Sequence, residues 1–286
     1  MASTLLRAMI VVCGMATIAI SSPSHAQSRE QADLLDLRTD VLTAFRGVEP
    51  DLNFRPDPAD PARILSDTIS VDVTNVFNSL RAFPEEPREE VIADFVDTSL
   101  RITAMGMADL TPEELVVVLR SAEYVDYLRQ SGAPFVSRRI TGNLHAVVMR
   151  NSPDAFATVS LDMLPARSEG EFFEIGVSNV STLLSDIVTE DYDGAILYFI
   201  ESDPDLTSAL ALMPEFWDIV RGRFGDDFVF VIPRRDQLFV IDTADGDPLG
   251  YAKYVIDATF TDRYNLLSPE IYALENGKIV TVETPR

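Results

Sequence analysis

Two short runs near the C-terminal end restrict the architecture more than any other feature of the chain. Phe228-Val229-Phe230-Val231-Ile232 and Leu238-Phe239-Val240-Ile241 are apolar at consecutive positions. A strand with one face in water alternates apolar and polar residues, so unbroken runs predict strands covered on both faces. The residues between them, Pro233-Arg234-Arg235-Asp236-Gln237, predict a hairpin with a charged, solvent-exposed tip. Helices opening at Pro214 and capped at Asp247 flank the hairpin in sequence. Their apolar stripes, Phe216, Ile219 and Val220 in one and Leu249, Ala252, Val255, Ile256, Thr259 and Phe260 in the other, make them the natural covers.

The same reading extends upstream. Helical spacing of Leu34, Leu37, Val41, Leu42 and Phe45 before Gly47 predicts an amphipathic helix from Arg29 to Arg46. Three prolines between Asp51 and Pro61 mark a loop, and alternation over Ile69 to Thr74 predicts a strand with one buried face. A helix follows from Pro84 to Ile102, whose Glu85, Glu86, Glu89 and Glu90 suit a helix N-terminus. Leu115 to Leu119 reads as a buried strand and Tyr124 to Gln130 as a short helix stopped by Gly132. Strands at Phe135 to Arg139, Leu144 to Arg150 and Phe156 to Ser160, with turns at Thr141-Gly142 and Asn151 to Asp154, predict an antiparallel meander. Ser168 and Glu171 form a capping box opening a helix with Phe172, Ile175, Val180 and Leu183 inward. A strand at Ala195 to Ile200 leads to a short helix from Asp203-Pro204-Asp205, and a hairpin around Asn276-Gly277 closes the chain. Strand runs and hairpins outnumber strand-helix-strand alternation, so the class is α+β, with antiparallel or mixed sheets and flanking helices. The expected divisions are 1–26 as a cleaved signal, 27–62 as an N-terminal helix and Pro-rich loop, 63–190 as one α+β subdomain and 191–286 as a second.

The signal expectation rests on Arg7, an apolar or small run from Ala8 to Ile20, and Ser24-His25-Ala26 before Gln27. Crossing a bilayer takes roughly 20 apolar residues, more than this run holds, so cleavage after Ala26 and no stable membrane insertion are expected, in a periplasmic or secreted protein. Cys13 and His25 leave with that segment, and His145 is then the last histidine. A mature chain so composed excludes disulfides, a thiol nucleophile and any multi-histidine zinc site. His145 lies in an apparent strand and reads as a half-exposed strand histidine rather than a triad member.

The formal charge of the whole chain is −23, and loss of Arg7 leaves 22 basic against 46 acidic residues, or −24. Affinity for nucleic acid comes chiefly from Lys and Arg on phosphates, so no nucleic-acid partner is expected. Three acidic segments, Glu190 to Gly194, Asp203 to Asp205 and Asp242 to Asp247, lack the spacing of a calcium loop and read as turns or caps. No dinucleotide, phosphate-loop or nucleophile-elbow motif is present.

Gly225-Asp226-Asp227, an apolar run ending at Pro233, then Asp236 and a second apolar run to Asp242 form a Gly-Asp, strand, Pro-x-x-Asp, strand pattern. This pattern resembles an uncharacterised bacterial family typified by YtpQ. Weaker likenesses are Leu119-Arg120-Ser121, Pro134-Phe135, Asn179, and Asp205 with Ser208. The resemblance spans the chain from about Ile69; it supports the fold and implies no activity or cofactor, and the export signal is a departure from it.

No residue is assigned as catalytic, cofactor-binding or metal-binding, and no cofactor is expected. Scarcity of catalytic side-chain types favours a non-enzymatic envelope protein that binds a protein or peptide partner, by a sheet edge or by a hydrophobic surface near Phe216 and Trp217. The alternatives are a carboxylate-dependent hydrolase, which needs two acids set apart in a pocket, and a calcium-stabilised structural module.

Overall fold

The computed structural model describes residues 11–12, 25–67, 69–106, 110–131, 135–152, 155–163, 167–192, 194–244, 246–261 and 265–282. Arg7, Cys13, Ser24, the Ala8 to Ile20 run apart from Val11 and Val12, Gly132, Pro134, Pro153-Asp154, Asp193 and Asp245 lie outside the described residues. The chain forms two compact units, residues 1–109 with 128–133 and 152–157, and residues 110–127, 134–151 and 158–286. The class is α+β, with open sheets whose pairings are antiparallel apart from one.

The first unit runs β1 (Val11–Val12), α1 (His25–Val48), β2 (Arg55–Pro56), β3 (Arg63–Leu65), β4 (Ser70–Asp72), α2 (Thr74–Ala82) and α3 (Arg88–Gly106). Its sheet has the order β1-β4-β3-β2, with β1 parallel to β4. The stripe that marked α1 as a helix is the one it buries: Leu37, Val41, Leu42 and Phe45 pack with Phe54, Ile64, Val71, Ile92 and Val96. Phe45 stacks on Phe54 at 4.6 Å between ring centroids.

The alternating segment differs from expectation, since all three residues of β4 are buried. Asp72 explains both the burial and the end of the strand. Its Oδ1 accepts the Thr74 backbone N–H at 2.8 Å, which turns the chain into α2. Burial pushes this carboxyl up to about 6, against the opposing hydrogen bonds from Thr74. Between about pH 4 and 6 the folded chain therefore holds a proton that the unfolded chain has lost, and stability falls as pH rises through that window. A difference of this size is on the order of 2 to 3 kcal/mol. Asp72→Asn keeps an acceptor for Thr74 without the charge. Urea unfolding should find it more stable than the parent at pH 7.5, with the gap closing by pH 4; an equal or less stable variant at pH 7.5 contradicts a buried charge here.

The second unit contains two sheets. β5 (Leu115–Ser121) precedes α4 (Ala122–Ser131), β6 (Val136–Thr141), β7 (Leu144–Ser152) and α5 (Glu169–Ser181), while the end of α4 from Leu128 and residues 155–157 of β8 (Ala155–Thr158) fall in the first unit. The first sheet has the order β5-β7-β6, so β6 pairs with β7 as the expected meander has it and β5 is added on the other side of β7. Ser168 caps α5 as its spacing predicts, accepting Glu171 N–H while the Glu171 carboxylate accepts Ser168 N–H at 2.7 Å. Its buried face is Phe172, Phe173, Gly176 and Val180, so Gly176 and Phe173 take the places expected of Ile175 and Leu183.

The remaining elements are β9 (Ile187–Tyr192), β10 (Ala195–Ile200), a 3-10 segment (Pro204–Leu212), α6 (Pro214–Phe224), β11 (Phe228–Arg234), β12 (Gln237–Asp242), α7 (Pro248–Thr259), β13 (Ile271–Glu275) and β14 (Lys278–Thr281). The second sheet has the order β14-β13-β11-β12-β10-β9. Its two faces separate by residue parity, because residues opposite one another in an antiparallel pair share a face. Val229 opposite Ile241, and Val231 opposite Phe239, pack with Ala252, Val255 and Ile256 of α7. Phe228 and Phe230, together with Tyr198, meet Phe216 and Trp217 of α6 at ring separations of 4.6 to 5.7 Å. Both faces are covered, one by each flanking helix. Asn276 and Gly277 both hold positive φ, 52° and 73°, the geometry that a two-residue hairpin turn demands.

Candidate functional site

The hairpin tip between β11 and β12 is packed rather than solvent-exposed. Pro233 is buried and Arg234 to Gln237 are half-buried. The backbone accounts for this. Arg235 N–H donates to Asn265 O at 3.1 Å, its carbonyl accepts Ser208 N–H at 2.9 Å, and Leu267 N–H donates to Pro233 O at 2.8 Å. A tip sequence carries no sign of such distant partners, which is why charge alone suggested exposure.

Around this turn the fold gathers polar side chains from four separate stretches. Arg120, which follows the apolar run Leu115 to Leu119 of β5, is 5% exposed. Its Nη1 donates to Leu119 O at 2.9 Å, and the guanidinium carbon lies 5.4 Å from the Tyr124 ring centroid. Burial, then the Arg235 guanidinium beside it, pulls Arg120 down to about 10, while Tyr124 and Asp205 favour its charge. Asp205 Oδ1 stands 3.8 Å from Arg235 Nη2, and Arg235 Nη2 donates to Asn265 Oδ1. Asn265 holds a φ of 51°, unusual for a side chain other than glycine. Burial also raises the Asp236 carboxyl above the ordinary range. Ser208 is fully buried, and its Oγ, like Asp236 Oδ1, has no hydrogen-bond partner among the described residues.

His145 is buried, not half-exposed as its strand context suggested. On β7 it stands opposite Arg120 on one side and Arg139 on the other, so three basic residues align across the sheet. Phe216 and Trp217 are likewise interior, with Trp217 Nε1 donating to Ala211 O at 2.9 Å, so they offer no hydrophobic surface for a partner. Asn179 spends its side-chain amide on Pro112 O and Leu115 O, both at 2.8 Å, and so pins the start of β5.

The acidic segments fall in three different settings. Glu190 and Asp191 are not in a loop but on β9, the terminal strand of the six-stranded sheet. Asp203 Oδ2 accepts Asn151 Nδ2 at 3.2 Å, and burial raises its carboxyl. Asp242 accepts Ala244 N–H and Asp247 accepts Gly250 N–H, the latter capping α7. Among the described residues, no three His, Cys, Asp or Glu side chains are grouped to hold a metal ion.

The β9 edge is the other distinctive surface. Its neighbour is β10, and Thr189 to Tyr192 are exposed. Tyr192 donates to Glu190 Oε2 at 2.9 Å and meets Phe239 edge to face at 5.8 Å, while Asp191 pairs with Arg223 at 2.5 Å. An open polar hollow of about 380 Å³ lies at the start of the strand, lined by Ser185, Asp186, Ile187, Val188, Glu201 and Ser202. Sequence reasoning missed β9 because an edge strand need not bury an alternating face.

Comparison with known proteins finds distant relatives described as UPF0354 proteins of Staphylococcus aureus, in strains JH9, Newman and COL. Each is 19% identical over 176 residues, which cover 59% of this chain and 61% of the relative. The chain thus spans about 61% of the length of these relatives. No family model matches, and no solved structure matches. No helix among the described residues is long and apolar enough to cross a membrane.

Proposed function

We propose that this chain is an exported, non-enzymatic binding protein of the bacterial envelope that captures an extended peptide segment of a partner on the open edge of β9. The observation that carries this reading is the terminal, exposed position of β9 in a six-stranded antiparallel sheet. An edge strand presents unpaired N–H and C=O groups, and an added strand satisfies them. Glu190 and Asp191 on β9, with Asp186 and Glu201 at the hollow beside it, favour a partner strand bearing basic side chains. Tyr192 and the half-buried Val188 supply apolar contact.

The test is hydrogen exchange of the purified protein with a decapeptide alternating valine and lysine. Residues 187–192 should gain protection, and the double substitution Glu190→Lys with Asp191→Lys should abolish it while the melting temperature stays within a few degrees. Unchanged exchange at β9 rejects the edge as the binding surface.

Export is the other half of the proposal. Cleavage after Ala26 removes β1 and the first two residues of α1. Mass spectrometry of the protein purified from its native envelope should find Gln27 as the first residue; a chain beginning at Met1 rejects export by this signal.

A further inference from the structure

We propose that the polar cluster at the Pro233 to Gln237 turn is a binding site for an oxyanion, a carboxylate or phosphate group on a small molecule, held by the Arg120 and Arg235 guanidiniums with the Ser208 hydroxyl as a third donor. The site is separate from the β9 edge and does not depend on the reading given for it.

Three features support it. The first is charge. Arg120, Arg234 and Arg235 gather with Asp205 and Asp236, three guanidiniums against two carboxylates, so positive charge is in excess here in a chain of net charge −23. Two guanidiniums brought together at low exposure repel each other, and an added anion removes that repulsion. The second is unspent hydrogen-bonding capacity. Arg235 carries five N–H donors. Asn265 Oδ1 takes one, and Asp205 at 3.8 Å stands beyond hydrogen-bond reach. Ser208 Oγ is fully buried without a partner among the described residues, and its own N–H is bonded to the Arg235 carbonyl, which fixes it at the turn. A buried hydroxyl left unpaired costs about 1 to 3 kcal/mol, which an acceptor oxygen restores. The third is fixed geometry. Asn265, in the left-handed region, grips both the backbone and the side chain of Arg235, so the guanidinium is oriented before any ligand arrives.

Arg235 and Asp205 are the solvent-side members, with side chains 25% and 40% exposed, whereas Arg120 and Ser208 are interior. An entering oxyanion displaces Asp205 from the neighbourhood of Arg235 and takes the forked, charge-assisted hydrogen bonds that a guanidinium makes best. The fold unites Arg120, Asp205, Ser208 and Asp236 across more than a hundred positions of sequence.

The experiment adds inorganic phosphate or acetate to the purified full-length protein at constant ionic strength, with chloride as the balancing salt, and follows melting temperature and calorimetric binding. One of the two anions should raise the melting temperature and saturate below about 20 mM, as a ligand of the folded state does by mass action. Phosphate alone identifies a phosphate-bearing ligand, and acetate a carboxylate. Arg235→Gln should abolish the effect and Ser208→Ala should weaken binding about tenfold, because each removes a hydrogen bond to a charged group. Arg101→Gln, an exposed arginine of the first unit, should leave it unchanged. Neither anion acting at 20 mM, or an effect that survives Arg235→Gln, overturns the proposal.

Discussion

Val231→Asp is expected to abolish folding of the second unit. Val231 is fully buried in the middle of β11, opposite Phe239 and, on the other side, opposite Ile271 of β13. It lies on the face that α7 closes with Ala252, Val255 and Ile256, where the neighbouring side chains are apolar and offer a carboxylate no donor. An unpaired buried charge costs several kcal/mol at least, and domains are stable by only about 5 to 15. Urea unfolding followed by circular dichroism should show no cooperative transition for this unit, whereas Tyr254→Asp, at an exposed position of α7, should leave the midpoint nearly unchanged. A variant that still unfolds cooperatively at the parental midpoint would mean that α7 does not seal this face.

Gly176→Val is expected to destabilise by about 2 to 3 kcal/mol, the usual cost of overpacking. Helix propensity alone argues the other way, since glycine inside a helix costs about 1 kcal/mol relative to alanine. Contact decides the sign. A Cβ on Gly176 would stand 2.8 Å from Val117 Cγ2 and 3.0 Å from the Val116 carbonyl carbon. Part of that obstruction is backbone in β5, held in register with β7 along seven residue pairs, so it cannot swing aside as a side chain would. Gly222 on α6 has open space at the same position, and Gly222→Ala should stabilise by about 0.5 to 1 kcal/mol. Equilibrium unfolding of both variants separates the two effects; equal shifts of one sign would show that contact does not govern position 176.

Much of the second unit could be read from its sequence because its signals are local. The runs at Phe228 and Leu238 announce strands buried on both faces, Ser168 and Glu171 announce a helix start, and Asn276-Gly277 announces a turn. Each signal rests on a few neighbouring residues, so tertiary context had little chance to override it. The misreadings fall where the cause is remote. β9 shows no alternation because Thr189 to Tyr192 stand exposed on the terminal strand of the sheet. Phe216 and Trp217 look like a sticky surface until the sheet that receives them is in place. Arg234 to Gln237 look like a solvated tip because Ser208, Asn265 and Leu267, which enclose them, lie far away in sequence. The polar cluster was invisible for the same reason: Arg120, Ser208 and Arg235 have nothing in common until the chain is folded.

Trp217 is the single tryptophan of the chain, and it is buried against Phe216, Phe228 and Phe230 with its indole N–H engaged. Its fluorescence emission should therefore be blue-shifted in the folded protein and move to longer wavelength only when the aromatic side of the six-stranded sheet opens. The first unit holds no indole and is silent by this signal. Emission and circular dichroism together thus form a two-channel clock: intrinsic fluorescence times the disassembly of one unit, far-ultraviolet ellipticity follows both, and any delay between the traces measures how independently the two units melt.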